Sequence, residues 1–319
     1  MHPWASGQVV RLQRQHIKSG KGQFESGRMP MEQSAIELSW TGHFREFKEN
    51  LGKSNHYLIT ILVGLEGVRT KKITKDDSFH VLWNPSDLES SVGGSRKFVR
   101  KAALSWTIDA LDGYLGFLRK EIFEFNDSEF EHELKNKSAR SIRKSLDAVI
   151  KFCQYPLDLP LSLVQLGIQW RNNLVHFHAN NSLDHEYKDF IRHVDPTETS
   201  ESFSGLEPMQ MLEDFEQGLP PKHKAVACII RSTHHLVQAI DPIMVKYVNL
   251  KKYSQDLIIS HEEEFKKVIA SPPSIRIKKV RQFFLSQGFK PNVEVEITSP
   301  LALHSSDLQE LIDWYRSSN

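Results

Sequence analysis

Between residues 95 and 250 apolar side chains recur at three- and four-residue spacing in four runs with prolines standing among them, a pattern that holds the chain to packed helices. Val99, Ala103, Trp106, Ala110, Tyr114 and Phe117 fall on one face of a first helix, which Ser95 can cap and which is expected to reach about Phe125. A second helix is expected from about Ser138 to Gln154, with Ile142, Leu146, Val149 and Cys153 as its stripe. Pro156 and Pro160 break the chain and start a third, from Leu161 to about His178. A polar loop with turn chemistry at Asp195-Pro196 and Ser200 to Gly205 separates it from a fourth. That helix follows Pro220-Pro221, runs to about Leu250, and turns Ala225, Cys228, Ile229, Leu236, Ala239 and Ile240 inward; Pro242 is expected to kink it or end its first half. Four such helices with mostly short connections make an antiparallel bundle.

The flanks read differently. Residues 1–35 are rich in Gly, Gln, Ser and Arg without periodicity, as in a loose arm. Residues 36–94 form an accessory segment with two short apolar runs, Tyr57–Leu65 and Phe79–Trp83, that can be strand or helix. Asn84-Pro85-Ser86-Asp87 closes it as a turn. Residues 255–319 form a small α+β unit: a charged helix around Glu262–Val268, a Pro272-Pro273 break, a basic helix Arg276–Ser286, a turn at Gly288, a half-exposed strand Val293–Ile297 and a last helix Ser306–Tyr315. The expected fold class is thus mainly α, a four-helix bundle over 95–250 with a small C-terminal α+β unit.

Composition narrows the partners. Lys plus Arg number 41 and Asp plus Glu 40, so a nucleic acid must be held by a local basic patch. Two stretches offer one: Arg96, Lys97, Arg100 and Lys101, and Arg276, Lys278, Lys279 and Arg281 with Phe283 and Phe284. Each reads equally as a solvated helix face. Gly93-Gly94-Ser95 is too short for a phosphate loop. Cys153 and Cys228 allow no disulfide framework or thiolate zinc site and read as buried thiols in a reducing cytosol. His234-His235 with Asp241 makes a poor chelate, because adjacent helical side chains point about 100° apart. No cofactor or metal is expected. Met1 to Arg14 lacks an apolar stretch of signal-peptide length, and Tyr57–Leu65 is too short to span a bilayer, so the expectation is a soluble, cytoplasmic protein without a membrane partner.

The third helix carries Arg171-Asn172-Asn173-Leu174-Val175-His176. An arginine supplies a permanent charge in a planar fork matched to phosphate oxygens, and an imidazole, ordinarily titrating near neutrality, moves protons. The RNA 2′-hydroxyl is already beside the phosphate it attacks, so the protein need only transfer protons and stabilise charge. On a regular helix Asn172 and His176 share a face, while Arg171 lies about 140° from His176, so one helix cannot aim both at one atom.

With an Arg, an adjacent polar residue and a His at this spacing, on a late helix of a four-helix unit, residues 95–250 resemble the HEPN superfamily, in its plasmid-borne and defence-associated branch. The resemblance implies a metal-independent endoribonuclease, a toxin or defence effector acting on RNA, in which two bundles pair and the facing motifs form one site. It also implies a homodimer through the bundle and an antitoxin or nucleotidyltransferase partner. Arg171 is then assigned to phosphate and transition-state binding, His176 to proton transfer and Asn172 to orientation. Asp109 and Asp112 lie within or beside the first helix's apolar face; a buried carboxylate there needs a partner, and Arg171 is the candidate for Asp109, orienting or merely neutralising it. Two alternatives stand. The bundle can bind RNA or a nucleotide, or serve as an interaction module, without cleaving anything. The Arg and His can also be structural, since cations near a helix C-terminus are favoured by its dipole, which suits His178 as well as His176. Arg11 and His16 in the arm match the same spacing.

Overall fold

A computed structural model describes residues 35–76, 78–80, 82–135, 141–176, 179–195, 207–292 and 299–318. In chain order the elements are β1 (Ile36–Leu38), α1 (Gly42–Arg69), α2 (Leu88–Phe117), α3 (Ser128–Lys135), α4 (Ile142–Cys153), α5 (Leu159–Val175), α6 (His185–His193), α7 (Pro208–Glu216) and α8 (His223–Met244). A 3-10 turn, Val245–Tyr247, leads to α9 (Leu250–Ser260), α10 (Glu262–Ile269), α11 (Pro273–Ser286), β2 (Phe289–Pro291), β3 (Ala302–Leu303) and α12 (Ser305–Ser318). The protein is mainly helical with one small antiparallel sheet, and among the described residues no helix is long and apolar enough to cross a membrane.

Helix α5 sits at the centre. Asp158 caps it by accepting from the Leu161 N–H, Pro160 lies in its first turn, and every residue from Leu161 to Trp170 is buried. A helix apolar on all sides must be enclosed, and α2, α4, α6 and α8 pack around it. At the crossing of α5 with α8, a β-carbon on Gly167 would stand 2.7 Å from Cγ2 of Ile229, so the two backbones approach only because this residue has no side chain.

Several expectations change. Tyr57–Leu65 is part of α1, a 28-residue helix packed along α2 and α8, so a helix from the accessory segment joins the bundle. Phe79–Trp83 forms no regular element in its described residues. Helix α2 starts at Leu88, not Ser95: the Asp87 side chain accepts from the Ser90 N–H, and the Ser95 hydroxyl donates to the Ser91 carbonyl inside the helix. It ends at Phe117 rather than Phe125, and Trp106, expected to face the core, is exposed, as is Ala239 on α8. Helix α8 passes through Pro242 and stops two residues later, so the continuation to Leu250 is instead a 3-10 turn and the start of α9. The expected strand at 293–297, the arm with Arg11 and His16, and His178 lie outside the described residues.

The sheet order is β2-β1-β3, both pairings antiparallel, with Ile36 opposite Pro291 on one side and Leu303 on the other. The central strand therefore comes from before α1 and its neighbours from the tail, which ties together segments the sequence divides at 94 and 255. Gly288 makes the corner. Its φ is +103°, its carbonyl accepts from the Ser39 N–H, and a β-carbon there would lie 2.2 Å from the Trp40 carbonyl oxygen. Two residues on, Thr41 and Gly42 are anchored: the buried Asp241 carboxylate accepts from the Thr41 N–H (2.9 Å), the Thr41 hydroxyl (2.7 Å) and the Tyr114 hydroxyl (3.0 Å), while the Gly42 N–H donates to the Tyr253 hydroxyl.

Candidate functional site

The motif lies where α5 leaves the core. Trp170 is buried, its indole N–H donating to the Leu219 carbonyl, and the next turn emerges at the surface. The Arg171 side chain is 19% exposed and crosses to α2, where its Nη2 donates to Asp109 Oδ1 at 2.7 Å. Its Nη1 donates to Asn172 Oδ1 at 3.3 Å, and its Nε is enclosed without a hydrogen-bond partner. Asp109 and Arg171, 62 residues apart, thus meet with Asn172 in one polar cluster. Asp109 is not the buried carboxylate of the sequence reading. It is 59% exposed, at the solvent edge of α2, and Asp112 is exposed as well, so water helps to solvate the carboxylate opposite Arg171.

His176 departs from its expected geometry. The helix ends at Val175, and His176 is its C-cap with φ −100° and ψ 113°, an extended residue whose N–H still donates to the Asn172 carbonyl. The angular argument made for a continuous helix therefore does not bind it. Its side chain is exposed beside the equally exposed Val175. The structure brings Arg171, Asn172 and Asp109 into hydrogen-bonding contact and leaves His176 at the same helix end, facing solvent.

Sequence reasoning missed the reason the helix stops there. The Asn173 amide donates to the Asn181 carbonyl (3.0 Å) and its Oδ1 accepts from the Asn181 N–H (2.7 Å), a clasp in which a side chain replaces the next helical turn. The asparagine pairs at 172–173 and 180–181 are the signal that could have revealed it. Beside the clasp lies a cleft of about 370 Å³ bordered by Trp170, Asn173, Asn180, Ser182, Lys188 and Phe215. Lys188 is paired with Glu216.

The other candidates separate. Arg96 is committed to Glu66, and Arg100 is half-buried with its Nε on the Arg96 carbonyl. Arg276 binds the Ile269 and Ser271 carbonyls at the end of α10, and Phe283 and Phe284 are buried beneath α11. His234 is half-buried near Phe44, His235 is exposed, and Asp241 belongs to the anchor at Thr41. Among the described residues no group of three or more His, Cys, Asp or Glu side chains is arranged to hold a metal ion. Cys153 and Cys228 are free thiols; burial pushes Cys153 up to about 12 and Cys228 upward as well. No family model, curated protein or solved structure matches this chain.

Proposed function

We propose that this chain is a HEPN-type endoribonuclease that cleaves RNA by 2′-hydroxyl attack without a metal ion, as a toxin or defence effector. The observation that carries the reading is the cluster at the exit of α5: a guanidinium oriented by Asp109 and Asn172, on the helix end that also presents an exposed imidazole. In the proposed reaction His176 moves a proton, either from the 2′-hydroxyl or to the departing 5′-oxygen. The 2′-oxygen bonds to phosphorus, the bond to the 5′-oxygen breaks, and the products are a 2′,3′-cyclic phosphate and a 5′-hydroxyl. Arg171 holds the phosphate oxygens as charge builds on them. A homodimer with facing motifs would supply a second histidine, so that one acts as base and the other as acid. RNA is the macromolecular partner, and an antitoxin or nucleotidyltransferase chain is the regulator that the resemblance points to.

A second reading has its own support. The Arg171 fork already has a carboxylate partner, which favours a non-catalytic bundle that binds RNA or a nucleotide, or serves as an interaction module. Incubation of purified protein with RNA in excess EDTA separates the two. Cleavage leaving cyclic phosphate ends, lost in Arg171→Ala and in His176→Ala, is the expected result. Binding without cleavage, or cleavage unchanged in both variants, rejects the nuclease.

A further inference from the structure

Helices α1 and α2 form an antiparallel hairpin. His43 stacks on Phe117 at its base, while Glu66 pairs with Arg96, and Arg69 with Glu89, towards its tip. The outer half lacks a core: among the described residues from 59 to 102, only Val92 is buried. Yet that half is rich in apolar side chains, and they lie on more than one side. On α1, Tyr57 and Ile61 are one turn apart on one flank, and Ile59 and Val63 share another. On α2, Phe98 and Trp106 align through Ala102. These six side chains are between 42% and 73% exposed.

We propose that this face is a self-association surface, on which a second copy of the chain lays the same hairpin to complete a four-helix bundle between protomers. Size is the first argument. The largest apolar patch of a monomer usually measures about 300–600 Å². A half-exposed aromatic ring presents on the order of 100 Å², so these side chains with Phe79 and Trp83 at the tip offer roughly 800 Å² per protomer, the share each partner brings to a standard stable interface. Shape is the second. Two helices cannot bury flanks on more than one side by themselves, whereas an identical hairpin across a two-fold axis supplies the two missing helices and is covered in turn. The ion pairs between α1 and α2 hold the hairpin in one geometry before a partner arrives. Position is the third. The α2 stripe runs from Phe98 through Trp106 to Asp109, so a partner arm seated on it ends beside the Asp109–Arg171 pair. Only that consequence rests on the nuclease reading, because association is measured without RNA.

Light scattering after gel filtration, with sedimentation at micromolar concentration, tests the proposal on the full chain. The wild type is expected at twice the chain mass. The Ile61→Glu, Phe98→Glu double variant is expected at the chain mass with an unchanged helical circular-dichroism spectrum, because both side chains are outside the core. If that variant loses helicity, the milder Ile61→Ser, Phe98→Ser pair decides by the same two masses. A wild type that remains a monomer at 100-fold higher concentration, or a dimer indifferent to the substitutions, overturns the proposal. A dimer that cleaves no RNA leaves it standing and removes only the nuclease.

Discussion

Single residues show how environment assigns their tasks. Asp109 and Arg171 are remote in sequence, and the pairing of their charges was legible because a carboxylate beside an apolar helical face calls for a cation. What was not legible was the exposure of Asp109, since the helical period fixes a direction but not where the neighbouring helix stops. If Asp109 orients the fork for cleavage, Asp109→Ala lowers kcat on the order of tenfold to a hundredfold with KM little changed, and Asp109→Asn restores part of it. A loss confined to KM would mean that Asp109 serves only binding. His43 offers a test free of any functional assumption. Burial, then the charges of Lys120 and His261, lower its imidazole to about 4 from the ordinary 6.5, and its enclosed Nδ1 has no hydrogen-bond partner. The unfolded chain therefore takes up this proton first as pH falls. The contribution to stability is complete above about 6.5 and disappears on the way down to about 4, on the order of 2 kcal/mol in all. Urea unfolding across that interval should show the decline, and His43→Phe, which keeps the stacking on Phe117, should flatten it.

At the scale of elements, recognisability followed burial. Helix α5 was readable because Pro160 marks its start and its residues are apolar in every direction, and α8 because its stripe faces a core. Helix α1 was not, because its run from Tyr57 to Leu65 stands largely in solvent and so shows no single face. The start of α2 was misplaced because Gly93-Gly94 reads as a break, although the cap at Asp87 and the packing on α1 carry the helix through both glycines. At the motif, the Asn173–Asn181 clasp overrode a periodicity that would have continued the helix past His176. Packing of elements also makes a prediction at Gly167. Valine there gains helix propensity but forces Ile229 and Ile108 aside in a dry, filled crossing, for a net loss of about 1–3 kcal/mol. Urea denaturation with an unchanged slope would report it; a variant as stable as the wild type would mean that α5 and α8 can slide apart.

For the molecule as a whole, the decisive feature is that the middle strand of the tail's sheet is supplied from the other end of the chain. Ile36 and Leu38 are buried between β2 and β3, and the residues after them are held by groups on three different helices: Asp241 of α8, Tyr114 of α2 and Tyr253 of α9. A strand pair flanking a missing centre has no hydrogen-bond ladder of its own, because β2 and β3 bond to β1 and not to each other. The isolated segment 250–319 should therefore give a poorly dispersed amide spectrum, whereas in the whole chain the amides that β2 and β3 share with β1 should exchange slowly. Asp241→Ala belongs to the same test. It strips the Thr41 N–H, the Thr41 hydroxyl and the Tyr114 hydroxyl of their acceptor at once, at a cost of about 3 kcal/mol. Because Thr41 connects β1 to α1, amide exchange in that variant should rise in the sheet and at the start of α1 before it rises in α5. Exchange rising first in α5, or a well-dispersed spectrum from 250–319 alone, would mean that the tail is an independent unit whose contact with β1 is incidental, and that the bundle draws its stability from α2, α5 and α8 without the anchor at Thr41.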